Sequence, residues 1–172
     1  MSLPLPTDAR TAVDWVTLAD VPLAVVRHHG VRMGDLRELF DTSFRAIGAA
    51  ASSGEVQPTG PAVAVYDGDP ADTFDLAVGL PVSELPSGTF EHDGVQVVGH
   101  HLPAGAYAAT SHIGSYDGLP EGWERLLAGV QEGGAQPRGV WAEVYVTEPG
   151  PEADPSTMRT DLLVQVVLDE IL

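Results

Sequence analysis

The chain has 172 residues, 44% of them hydrophobic, and carries 25 acidic side chains against eight basic ones, a formal net charge of −17. This length fits one globular domain with a sizeable core, and eight scattered arginines form no basic face for phosphates, so nucleic acid is not an expected partner. Cysteine and lysine are both absent, which excludes disulfides, thiolate metal sites, a cysteine nucleophile, a Schiff base and a phosphate-loop lysine. No apolar run approaches the roughly 18 residues of a membrane span, and Met1–Pro6 lacks a secretory pattern, so a cytoplasmic location away from membranes is expected.

In chain order, residues 1–12 read as a loose tail. Apolar patterning predicts a strand over about 15–27 and a helix over about 34–51. In that helix Leu36, Leu39, Phe40, Phe44 and Ile47 share one face. Strands follow at about 61–67 and 73–80, joined by the acidic turn Asp67-Gly68-Asp69-Pro70. The stretch Pro81–Leu102 connects the halves, with an edge strand at Val95–Val98. Next come a strand at about 103–112 and a helix at about 119–132, striped by Leu119, Trp123, Leu126, Leu127 and Val130. Pro120 suits that helix's first turn, and Gly133-Gly134 its end. Strands at about 139–147 and 159–168 close the chain across a turn from Glu148 to Pro155.

The second half repeats the first. Pro58-Thr59-Gly60-Pro61-Ala62-Val63-Ala64-Val65-Tyr66 aligns with Pro137-Arg138-Gly139-Val140-Trp141-Ala142-Glu143-Val144-Tyr145, and Phe74–Val78 with Thr160–Val164. A repeat of about 14–82 and 95–168 makes one domain of two strand-helix-strand-strand modules. The expected fold is α+β: a curved antiparallel sheet with both helices on one face and a central ligand cleft. Trp141, Glu143 and Tyr145 alternate onto one face of their strand, and Ala142, Val144 and Val146 onto the other. The purely apolar side is expected to take the helices, leaving the Glu143 side to the cleft.

A carboxylate between two rings is costly to bury unless it finds a charge partner, keeps its proton or receives a cationic ligand. Glu143 is therefore the leading candidate, with Trp141 and Tyr145 as walls. Ala64 is its repeat mate, so the acid is one-sided. Tyr66, the mate of Tyr145, is a candidate for the opposite wall, and Tyr107 for a wall or proton donor. Trp123, Phe74 and Tyr116 are further candidate contacts. His112 and His28 precede the helices and read as turn or capping groups. The pairs His28-His29 and His100-His101 point to opposite strand faces and cannot chelate one ion, so no metal site and no cofactor is expected. The acidic run Asp67, Asp69, Asp72 does not keep a calcium-loop pattern. Asp75 and Asp161 read as structural.

These pieces together resemble the GyrI-like small-molecule-binding proteins of the SOUL/GyrI-like superfamily, related to the effector-binding domains of AraC- and MerR-type multidrug regulators. The resemblance rests on Tyr107 through His112-Ile113-Gly114-Ser115-Tyr116, on Trp123-Glu124-Arg125-Leu126, on Glu143-Val144-Tyr145 and Thr160-Asp161-Leu162, and on Gly60–Tyr66 and Phe74–Val82 in the first half. It implies a free-standing protein that binds small hydrophobic or cationic ligands in an aromatic cleft with a central glutamate at Glu143. It also implies an alternative: a hydrolase of electrophilic, cyclopropanoid-type small molecules with Glu143 as general base, beside Tyr107, Tyr116 or His112. The chain departs from the regulators in having no helix-turn-helix before residue 15. A partner protein is compatible with the resemblance, but no residue points to one.

Overall fold

A computed structural model describes residues 3, 5–68, 72–86, 88–147 and 154–168. Asp69 and Pro70 of the first acidic turn, and Glu148–Ala153 of the second, lie outside the described residues. Nine strands form one antiparallel sheet: β1 (Asp14–Leu18), β2 (Val21–Val31), β3 (Val63–Gly68), β4 (Phe74–Pro81), β5 (Phe90–His92), β6 (Val95–Leu102), β7 (Gly105–Ile113), β8 (Ala135–Tyr145) and β9 (Arg159–Leu168). Two helices, α1 (Leu36–Ser52) and α2 (Leu119–Glu132), complete the α+β fold. Pro120 sits in the first turn of α2, where its missing N–H costs nothing. The single strand expected over 15–27 is in fact two, because β1 and β2 pair with different neighbours.

The strand order is β1-β7-β9-β8-β3-β4-β2-β6-β5. Without the short β5 it is symmetric about the β8–β3 junction: four strands lie on each side, three from one half and an outermost one from the other. The outer strands are exchanged, β1 pairing with β7 and β6 with β2. At the central junction Ala64 lies directly opposite Glu143, and Tyr66 opposite Trp141. The close β2–β4 approach depends on Gly79, where an added Cβ would lie 1.8 Å from the Ala24 carbonyl oxygen.

Both faces of the sheet are buried, by different means. On one face Val25, Val63, Val65, Tyr107, Ala109, Ala142, Val144 and Leu163 form a core with Leu18, Leu23 and Leu102 that contains no helical residue. Leu3 and Leu5 pack against it. The other face takes both helices. There α1 lays Leu36, Leu39, Phe40 and Phe44 over Ala64, Tyr66, Phe74 and Tyr145. Leu126 and Val130 of α2 pack on Ala108, Leu162 and Val164. The helices thus cover the side of β8 that bears Trp141, Glu143 and Tyr145, not the Val144 side as expected. Apolar uniformity did not mark the helix side, because Leu18, Leu23 and Leu102 of the sheet and Leu3 and Leu5 of the N-terminal segment bury the other side.

The described residues before β1 are held in place rather than loose. The Arg10 side chain is nearly buried and pairs with Asp14 and Asp161, its backbone N–H donates to Ser111 Oγ, and Leu3 is buried in the core. Asp161, fully buried, accepts two 2.8 Å bonds from Arg159 and one from Ser111. No helix among the described residues is long and apolar enough to cross a membrane.

Candidate functional site

The site row begins at a bulge. The pairing of β8 with β9 shifts between Pro137 and Trp141. Pro137 has no N–H for the ladder, and Gly139 takes a φ of +99°, which other residues rarely adopt. Such a bulge re-aims the side chains that follow it. Beyond it, Trp141, Glu143 and Tyr145 point into the seam between the sheet and the two helices.

Glu143 is 7% exposed. Its carboxylate accepts three hydrogen bonds. Tyr66 Oη and Tyr145 Oη donate to Oε1, at 2.9 and 2.8 Å, and Trp123 Nε1 donates to Oε2 at 2.9 Å. All three donors are neutral. Among the described residues no arginine or histidine forms an ion pair with Glu143. Burial without a charge partner is expensive, and the three donors offset part of that cost. The residue opposite, Ala64, is fully buried and puts only a methyl beside the acid.

An aromatic shell surrounds the carboxylate. Phe40, Phe44 and Tyr116 each meet the Tyr145 ring edge-on, with centroids 6.2, 6.3 and 5.7 Å apart. Trp123 meets Trp141 edge-on at 5.6 Å, and Phe74 leans on Tyr66 at 5.4 Å. Tyr116, 37% exposed, is the outermost of these rings. Burial first, and the charge of Glu143 second, hold the Tyr66 and Tyr145 hydroxyls well above the ordinary phenol range. Tyr116 is raised by the same two causes in the same order. All three phenols stay protonated near neutral pH, and those of Tyr66 and Tyr145 serve as donors to Glu143.

Seven of the eight candidate residues therefore meet here: Glu143, Tyr145, Trp141, Tyr66, Trp123, Tyr116 and, behind Tyr66, Phe74. Tyr107 does not. It lies on the other face of the sheet among Ala109, Val144 and Leu163, and its hydroxyl donates to the Pro103 carbonyl at 2.7 Å. Residue parity is the reason: in β7 Tyr107 shares a side with Ala109, away from the helices. It cannot act as proton donor beside Glu143. His112 bonds the Ser115 carbonyl through Nε2 at 2.8 Å, a turn-fixing contact. Phe40 and Phe44, which the apolar stripe of α1 assigns to helix packing, also belong to this shell, and their i, i+4 spacing towards the sheet is the signal for it. Among the described residues no group of three histidines and carboxylates is placed to hold a metal ion.

Neither a family model nor a curated protein sequence matches the chain significantly. Solved structures do. The C-terminal domain of EcmrR superposes with a TM-score of 0.70 at 15% identity, over 91% of this chain and 97% of that one. A hydrolase encoded by lin2189 from Listeria innocua gives 0.63 at 12% identity, over 94% of both chains. SAV2435, solved bound to tetraphenylphosphonium, gives 0.66 at 8% identity, over 91% of this chain and 94% of that one. The architecture places the chain in the GyrI-like fold, which it shares with these structures.

Proposed function

We propose that the protein binds amphipathic small molecules, cationic or aromatic, in the seam between the helices and the sheet, with Glu143 as the group that recognises positive charge. One observation carries this reading: a buried carboxylate held by three neutral donors, with no ion pair to an arginine or histidine among the described residues. The surrounding rings suit such a ligand, since each aromatic face turned to a cation adds about 0.5–2 kcal/mol. The tetraphenylphosphonium bound to SAV2435, a protein of the same fold, supports the ligand class.

A hydrolase is the second reading, supported by the neighbours described as hydrolases. Oε2 of Glu143 accepts only one hydrogen bond, which leaves it an acceptor direction for a water to be activated. Of the proton donors expected beside it, only Tyr116 has a ring in the shell.

The two readings separate in one experiment. The wild-type protein is titrated calorimetrically with tetraphenylphosphonium and incubated with a cyclopropane-bearing electrophile, the products being followed by mass spectrometry. Saturable cation binding without ring opening is the expected result. Ring opening abolished by Glu143→Gln would transfer the site to the hydrolase reading.

A further inference from the structure

The indole N–H of Trp141 is buried and has no hydrogen-bond partner among the described residues. This is unusual beside the three donors that hold Glu143, all of which are engaged. Tyr66, Tyr145 and Trp123 each give their proton to Glu143. Trp141 stands on the same face of β8, two residues before the acid and edge-on to Trp123, yet donates to nothing. A carboxylate oxygen offers about two acceptor directions. The two phenols fill those of Oε1, and Trp123 takes one at Oε2. A second orphan flanks the other end of the row: Thr160 Oγ1, also buried and unpartnered, on the residue opposite Tyr145. Buried polar atoms without partners are rare, and each calls for a specific explanation.

Resting on the binding function proposed above, we infer that the site is built for a cation whose aromatic body also carries a hydrogen-bond acceptor, a carbonyl or phenolic oxygen, which receives the Trp141 N–H. The positive charge lies towards Glu143 and the oxygen towards the β8 bulge. A cation clad only in hydrocarbon leaves the indole N–H unpaired in a desolvated place, so it binds more weakly. The acceptor, rather than the charge, then discriminates among lipophilic cations.

The test uses tetraphenylphosphonium and its meta- and para-acetylphenyl analogues, titrated into wild type and Trp141→Phe. The substitution keeps an aromatic ring and removes the N–H. In wild type one acetyl analogue is expected to bind about tenfold more tightly than the parent ion, the worth of one hydrogen bond to an otherwise unpaired donor. In Trp141→Phe that advantage disappears, so that the three ions bind within about twofold of one another whatever their absolute affinity, and circular dichroism shows that the variant is folded. Equal affinities for all three ions in wild type, or an advantage that persists in Trp141→Phe, overturns the inference and leaves charge recognition intact; the indole is then satisfied by water. If wild type binds none of the ions, the underlying binding function fails and this inference falls with it.

Discussion

Tyr66 and Tyr145 donate their phenolic protons to the same oxygen of Glu143, at 2.9 and 2.8 Å. They come from aligned positions of the sequence repeat, on the two strands that meet at the centre of the sheet. Removing one leaves Oε1 with the other, so the first loss is cushioned. Tyr66→Phe or Tyr145→Phe should each cost about 1.5–3 kcal/mol, as expected for a hydrogen bond to a charged group. The double variant should cost more than the sum of the two. Urea denaturation of all four proteins in a double-mutant cycle measures the coupling, and strict additivity would show that the phenols do not share the carboxylate.

The same phenols set the alkaline limit. Their folded pKa values lie above the ordinary value of about 10. Folding therefore retains protons that the unfolded chain releases, and the stability this gives is complete below about pH 10 and declines as pH rises beyond it. Tyr107 and Tyr116 are raised as well, burial being the first cause for both. A spectrophotometric titration should show little phenolate at pH 10 in the folded protein, then an abrupt rise as it unfolds. A smooth titration of four groups near pH 10 would contradict the buried arrangement.

The acid side has a different origin. Burial first, and His29 second, lower His28, whose Nε2 lies 2.8 Å from Ser43 Oγ. Burial first, and Arg27 next, lower His100. Both stay neutral in the folded chain while the unfolded chain takes up protons, so stability begins to fall as pH drops below about 6.5. His28→Gln should flatten that slope between about pH 6.5 and 5, measured by urea midpoints at each pH. An unchanged slope would assign it to other groups.

Asp161 anchors the N-terminal segment. It has no exposure and is held by Arg159 and Ser111, with Arg10 at 3.5 Å. Arg159→Gln leaves a poorly compensated buried charge, which costs about 3–5 kcal/mol. Limited proteolysis should then cut within residues 5–12 faster than in the wild type. Protection that survives the substitution would mean that Leu3 and Leu5 hold the segment by themselves.

Much of this was readable from the amino acids. The two helices, the β9 strand and the pairing of β3 with β4 and of β8 with β9 follow from periodicity and turn residues. Glu143 stood out because an acid between two rings on a strand is hard to explain as packing. The side of the sheet was not readable. In β8 both faces are buried, so the usual contrast between an apolar core side and a polar solvent side is missing. That ambiguity misplaced the helices and, by the same parity, put Tyr107 beside an acid that lies on the other face. Trp123 shows the converse limit: its place on the apolar stripe of α2 was clear, but not that its N–H would reach Oε2 from a different element. The split between β1 and β2 was hidden because the exchange of outer strands is a property of the whole sheet.

Charge recognition by Glu143 is tested most directly by calorimetric titration of tetraphenylphosphonium into wild type and Glu143→Gln. Glutamine keeps the shape and carries no charge; its one carbonyl oxygen can still accept from Tyr66 and Tyr145, while its NH2 cannot accept from Trp123. The affinity should fall by at least about tenfold, equivalent to roughly 1.4 kcal/mol, with the folded state kept. Equal affinity in the two proteins would show that the aromatic shell alone binds the ion and that the buried acid serves another purpose.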